Sequence, residues 1–176
     1  MSHSRLAFSV SIGYGTAMQR PKVYIETSVI SYLVAPPNRG NIRVAANQDI
    51  TREWWQTRRE KFELFVSAVV VGEAQRGNRE MAAARIEALR GIRIAQTTPA
   101  ALALAAALIA GSGVPKKANE DALHIAIAAT NGLDYLLTWN CTHIANAVTI
   151  PLVNRICRVG GFEPPLIYTP QELMEG

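Results

Sequence analysis

The sequence predicts an α/β fold, with a parallel sheet covered by helices on both faces. Three features predict it. Strand-like apolar segments alternate with helix-like ones from Pro21 onward, and that β-α-β-α order is how crossover helices come to lie on a parallel sheet. The chain has 176 residues, the size of one domain, which buries about 70% of its unfolded surface. Hydrophobic residues make up 49% of it, so a core needs neither disulfides nor a structural metal.

The elements follow in order. "KVYI", Lys22 to Ile25, is a first strand, and Thr27 to Val34 a short helix stopped by Pro36-Pro37. A long polar-faced helix from about Ile42 to Lys61 carries Trp54 and Trp55. "FELFV" is the second strand, and "AVVVGEAQRG" bends into a helix that Gly77 ends. "REMAAARIEALRG" is an amphipathic helix closed by Gly91, and "IRIAQ" a short third strand. Pro99 starts the Ala/Leu helix "TPAALALAAALIAGSG". "NEDALHIAIAATNG" is another helix, stopped at Gly132, and "DYLLTW" the fourth strand. Helix-like "HIANAVTIPLVNRICRVG" follows, and the tail "EPPLIYTPQELMEG" gives a last short strand and one helical turn. No repeat, low-complexity tract or interdomain linker interrupts this order.

Composition narrows the function classes. The net charge is +4 and the sequence pI is about 9.3, a modest argument for an anionic partner, nucleic acid before membrane. No apolar run approaches the roughly 20 residues of a membrane span. Cys141 and Cys157 suit a reducing cytosol better than a secreted framework. Residues 1–20 are mixed in character, a poor secretory signal that reads as a flexible leader, with Met18 the better start.

Parallel sheets carry their functional groups at the carboxyl ends of the strands. Four polar residues fall there or at a helix start: Glu26 after the first strand, Glu73 after "AVVVG", Asp121 opening an apolar helix, and Asn140 after "YLLTW". Carboxylates brought into one crevice repel one another unless a cation neutralises them. The hard cation suited to clustered carboxylate oxygens is Mg²⁺ or Mn²⁺. Such an ion activates water and stabilises charge on a phosphodiester, which points to metal-dependent phosphodiester hydrolysis. Each acid also has a plain structural reading. Glu73 fits a solvated face or an ion pair with Arg76 or Arg79, and Glu120 and Asp121 fit the positive end of a helix. Glu26 has the weakest such alternative, because a partly buried acid after a strand needs partners.

Other constellations are weaker. "CTH", Cys141 to His143, with Cys157 lacks a second ligand pair at zinc spacing. His124, one turn after Glu120, borders the crevice and reads as a satisfied structural histidine. Cys141 has no paired base, and no P-loop or G-x-G-x-x-G occurs. Trp54, Trp55 and Trp139 could stack on bases but fit core or interface better.

"VYIETSVISYL", "VVVGEAQRG" and "NEDALHIAIAATNGLDYLLTWNCTHIANA" together resemble a PIN domain, and most closely the VapC-type ribonuclease toxins of bacterial toxin–antitoxin systems. The resemblance covers residues 21–154, with residues 155–176 as a C-terminal extension packed on the same domain. It implies a PIN-like α/β/α sandwich with a parallel sheet of four or five strands. It also implies an acidic site for Mg²⁺ or Mn²⁺, endonucleolytic cleavage of RNA in the cytoplasm, a homodimer and a small antitoxin partner.

By position, Glu26 stands where the family usually has its first aspartate, Glu73 matches the second acid and Asp121 the third. Asn140 occupies the fourth acidic position. The resemblance implies that Glu26, Asp121 and Asn140 hold the metal, while Glu73 orients or deprotonates the attacking water or completes the metal shell. Arg39, Arg43, Arg76, Lys116 and Lys117 are candidates to hold the RNA backbone. Two departures stand out. Glu26 reaches one C–C bond further than Asp, roughly 1.5 Å, and Asn140 removes a negative charge that Glu120 could partly restore. Those departures leave two alternatives: a PIN-fold RNA- or protein-binding module without cleavage, and a PIN nuclease that is not a toxin.

Overall fold

The computed structural model describes residues 19–174, so residues 1–18 of the expected leader lie outside the described residues. The fold is α/β, with five parallel strands in the order β3-β2-β1-β4-β5 flanked by helices. The strands are β1 (Lys22–Ile25), β2 (Glu63–Ser67), β3 (Arg93–Ala95), β4 (Tyr135–Leu137) and β5 (Leu166–Tyr168). The helices are α1 (Thr27–Val34), α2 (Ile42–Thr57), α3 (Ala68–Ala74), α4 (Arg79–Ala88), α5 (Pro99–Ala110), α6 (Asn119–Thr130) and α7 (Ile150–Val159). This is the architecture expected from the alternating pattern. The helices pack in two groups, α2, α3 and α4 around α1, and α6 and α7 around α5.

The central strand explains its own composition. Val23, Tyr24 and Ile25 are all 0% exposed, because β1 has a strand on either side and helices above and below. Strands buried on both faces read as unbroken apolar runs rather than alternating ones. The edge strands are less covered, and Ile94 on β3 and Leu166 on β5 are exposed. β5 lies in the C-terminal segment and pairs in parallel with β4, Tyr135 opposite Leu166 and Leu137 opposite Tyr168.

Two boundaries differ from the sequence reading, each for a local reason. α2 stops at Thr57, and Arg59–Lys61 form a 3-10 turn instead of a last helical turn. Trp54 is thereby buried and stacks on Phe62 at 5.8 Å, closing the chain onto β2. The helix expected from His143 begins only at Ile150. Pro151 lacks an N–H and belongs in a first turn, and residues 141–144 and 147–149 form two turns instead. Asn140 and Asn146 hold those turns by accepting from the backbone N–H groups of His143 and Val148.

Strand order decides where the site lies. Sequence neighbours run outward from β1 through β2 to β3 on one side and through β4 to β5 on the other. The order therefore reverses between β1 and β4, and the crevice at their carboxyl ends is where such sheets bind ligands. Glu26 follows β1 directly, with its backbone N–H donating to Leu137 O of β4 at 3.0 Å.

Candidate functional site

Glu26 is 6% exposed and serves as the N-cap of α1. Its Oε1 accepts from Ser28 N at 3.1 Å. Its Oε2 accepts from the Ser28 hydroxyl and from Thr138 Oγ1, the latter at 2.7 Å. Thr138 follows β4, so the acid after one strand is tied to the hydroxyl after the next across the point of reversal. Such a buried carboxylate is stable only with donors of this kind.

Glu73, on α3, is half-buried. Its Oε2 accepts from Thr27 Oγ1 and lies 3.1 Å from His124 Nε2. Burial alone pushes the Glu73 carboxyl up, but the hydrogen bond and charge of His124, with the hydrogen bond from Thr27, hold it below the usual range. His124 mirrors this. Burial disfavours its charged form, yet the hydrogen bond to Glu73 and the field of Glu26, Glu73 and Asp121 raise its pKa. Its other nitrogen, Nδ1, is 2.8 Å from Tyr24 Oη, which is 2.7 Å from Ser67 Oγ. Burial pushes the Tyr24 phenol far above its ordinary value, so it stays neutral.

Asp121 sits in the first turn of α6, its side chain 19% exposed. Oδ1 accepts from Asn140 Nδ2 at 3.0 Å, and Oδ2 lies 2.8 Å from His143 Nδ1. Asn140 is braced in turn, its N–H donating to Thr138 Oγ1 at 2.9 Å and its Oδ1 accepting from His143 N at 3.1 Å. Glu120, beside Asp121, takes Arg76 in a two-pronged ion pair at 3.0 and 2.6 Å.

The four residues singled out from sequence thus fall into two linked groups. Glu26 and Glu73 meet through the strand ends and His124, while Asp121 and Asn140 bond directly to one another. One oxygen each from Glu26 and Glu73 and one nitrogen of His124 lie within 4.8 Å of one another. Adjacent ligands of a six-coordinate Mg²⁺ stand about 3 Å apart and opposite ones about 4.2 Å. The carboxylate-rich donor set suits a divalent cation, and this cluster could hold one.

Other readings resolve as follows. His124 is a buried, hydrogen-bonded histidine, but it contacts a candidate acid rather than merely bordering the crevice. His143, which the sequence presents only within "CTH", instead bonds Asp121. Its usable signal was its place three residues after Asn140, in the turn leaving β4. Trp54 is core, Trp139 Nε1 donates to Thr51 Oγ1 at 2.7 Å, and Cys157 is buried with its thiol pushed up to about 11. Of the cationic candidates, Arg39, Arg43, Lys116 and Lys117 are exposed, and Arg76 is engaged by Glu120. A groove of about 530 Å³ that includes Glu63, at the start of β2, is lined by Arg20, Arg59, Arg90 and Arg93. Arg93 pairs there with Glu63, and Arg59 lies 5.1 Å over the Trp55 ring.

No protein-family model matches the sequence, and no curated protein matches it. The solved structure of VapBC2 from Rickettsia felis bound to a DNA fragment from their promoter has 13% identity and a TM-score of 0.49. The similarity covers 84% of this chain and 98% of that one. No residue role follows from a likeness at that level. No helix among the described residues is long and apolar enough to cross a membrane.

Proposed function

We propose that this protein is a divalent-cation-dependent endoribonuclease, the toxin of a VapBC-type pair, acting with a small antitoxin and as a homodimer. The observation that carries the proposal is the cluster of Glu26, Glu73 and His124 beside the point where the strand order reverses, to which Asp121 is joined through Asn140 and Thr138. The sequence blocks that resemble a PIN domain contain Glu26, Glu73 and Asp121. Glu26 and Asp121 hold Mg²⁺ or Mn²⁺, with Glu73 in the shell or orienting water. Asn140 contributes through its Nδ2–H bond to Asp121 and the second lone pair of Oδ1. The cation, when bound, supplies charge stabilisation on the scissile phosphate and a more acidic water.

The chain's own residues supply position. Ser28 and Thr138 hold Glu26 from two sides, so its carboxylate does not rotate when substrate arrives. Thr27 and His124 do the same for Glu73. Held below its usual range, Glu73 is ionised at neutral pH and ready to accept a hydrogen bond from water. Exposed Arg39, Arg43, Lys116 and Lys117 offer charge for the RNA backbone.

One observation favours the second reading, a PIN-fold binding module. Every carboxylate of the site already has internal donors. The test is cleavage of a mixed pool of tRNA, rRNA and mRNA with Mn²⁺, with EDTA, and with Glu26→Ala and Asp121→Ala. Cleavage that needs Mn²⁺ and vanishes in both variants is the expected result. Equal cutting by the variants means contaminating nuclease, and no cutting by the parent leaves the binding module. Growth arrest on expression, relieved by a co-expressed neighbouring gene, separates a toxin from a housekeeping nuclease.

A further inference from the structure

We propose that His124 is a positioning residue for Glu73, locked from behind by Tyr24 and Ser67, and that it selects which Glu73 oxygen faces the crevice. The inference rests on the nuclease reading for its kinetic consequence but on hydrogen-bond geometry for its structure. His124 lies three residues after Asp121 on α6, one turn deeper, and is 0% exposed. Both ring nitrogens are engaged, Nδ1 with Tyr24 Oη at 2.8 Å and Nε2 with Glu73 Oε2 at 3.1 Å.

Proton accounting gives the chain a direction. Ser67 caps α3, its Oγ accepting from Val70 N at 3.4 Å. Its own proton therefore goes to Tyr24 Oη, 2.7 Å away. The Tyr24 proton then goes to His124 Nδ1, which leaves Nε2–H to donate to Glu73. Run the other way, the chain leaves the buried Ser67 hydroxyl with no acceptor among the described residues, a costly arrangement. If the ring is protonated, the Tyr24 and Ser67 links turn round, but Nε2 still presents a proton to Glu73.

The consequence falls on Glu73. Oε2 takes both Thr27 and His124, so Oε1, which shares its surroundings with the Glu120 carboxyl, is the oxygen with room for a cation or water. Its placement draws on β1, β2 and α6 at once. A longer ladder behind one carboxylate is a means of fixing it within the tolerance that catalysis needs. The 3.1 Å separation would equally suit two adjacent ligands of one metal, and the experiment must separate those roles.

Long-range ¹⁵N–¹H spectra of histidine-labelled protein, recorded with EDTA and then with Mg²⁺, make the separation. The proposal expects His124 to carry a proton on Nε2 in both conditions, and that signal to shift in Glu73→Ala and broaden in Tyr24→Phe. Loss of the Nε2 proton on adding Mg²⁺ makes His124 a ligand and overturns the proposal. The kinetic arm compares Tyr24→Phe, His124→Gln and His124→Leu, each checked for an intact thermal transition. A misplaced Glu73 is expected to lower kcat about 100-fold in His124→Leu, with KM within about twofold and substantial rescue by the amide donor of His124→Gln. Equal kcat in Gln and Leu variants also overturns it. If the parent cuts no RNA, the nuclease reading fails while the spectra still decide the positioning role.

Discussion

The two halves of the candidate site solve the same electrostatic problem differently. In the inner half, Glu26 and Glu73 are held by hydroxyls, a backbone N–H and a buried imidazole, all fixed by secondary structure. In the outer half, Asp121 is more open and is held by Asn140 and His143 from the irregular segment after β4. Inner donors cannot leave without disturbing helix caps or the core. Outer donors sit on turns and can yield to a cation or a phosphate. On the proposed function, the inner half is scaffold and charge together, whereas the outer half is the part free to exchange its donors for a ligand.

The first way to break this comparison is Asp121→Ala. Loss of the carboxylate proposed to bind the cation should remove about 3–4 kcal/mol of transition-state stabilisation, roughly 100–1000-fold in the rate of RNA cleavage. The fold should be barely affected, because Asn140 and His143 are close enough to the surface to turn to water. Single-turnover cleavage beside a urea melt reads both effects. Comparable loss of stability would mean that Asp121 is as structural as Glu26.

Glu26→Ala should show the opposite balance, with lost activity accompanied by lost stability. It removes the acceptor for Thr138 Oγ1, the Ser28 hydroxyl and Ser28 N at the start of α1. Loss of the cap and of a buried acceptor should cost about 1–3 kcal/mol. Glu26→Gln, which keeps a carbonyl acceptor but no charge, should recover part of the stability and none of the metal dependence.

Asn140→Asp sharpens the outer half. It places a second carboxylate against Asp121 in place of a donor, so the metal-free protein should lose up to about 1 kcal/mol. Mg²⁺ affinity should rise about tenfold because the site gains ligand charge. Calorimetric titration of Mg²⁺ into parent and variant checks this. Unchanged affinity would place Asn140 outside the cation's surroundings.

Much of this division was legible in the sequence. The apolar run Val23–Ile25 announced a strand buried on both faces, and the acid that follows it could only persist with partners. Asp121 at a helix start with Ala122 and Ile125 behind it announced a side chain near a buried face. What the sequence hid was the pairing. Thr27 and Ser28 read as a helix start, which they are, but the same hydroxyls hold Glu73 and Glu26. Ser67 and Thr138 look like ordinary strand ends until the sheet order places them beside Tyr24 and Glu26. His143 was obscured because Pro151 delays α7 and turns a predicted helix into two turns. Short-range patterns report elements, whereas contacts made 43 to 112 residues apart depend on the order in which strands lie.

The smallest expected effect tests the inner half through pH. Glu73 is held below its ordinary carboxyl range and His124 above its ordinary imidazole range, each mainly by the other against the effect of burial. A depressed carboxyl stabilises the fold above its unfolded pKa, about 4.5, and that contribution is lost as pH falls through the lower folded value. A raised imidazole stabilises it below its unfolded pKa, about 6.5, and that contribution is lost as pH rises through the higher folded value. The pair therefore contributes in full between about 4.5 and 6.5 and declines on both sides. Urea melts in EDTA carried from that range to well above pH 6.5 should show the alkaline decline in the parent and lose it in His124→Gln. If the decline persists in the variant, its source is elsewhere, and the imidazole at the heart of the inner half is held by packing rather than by the charge of Glu73.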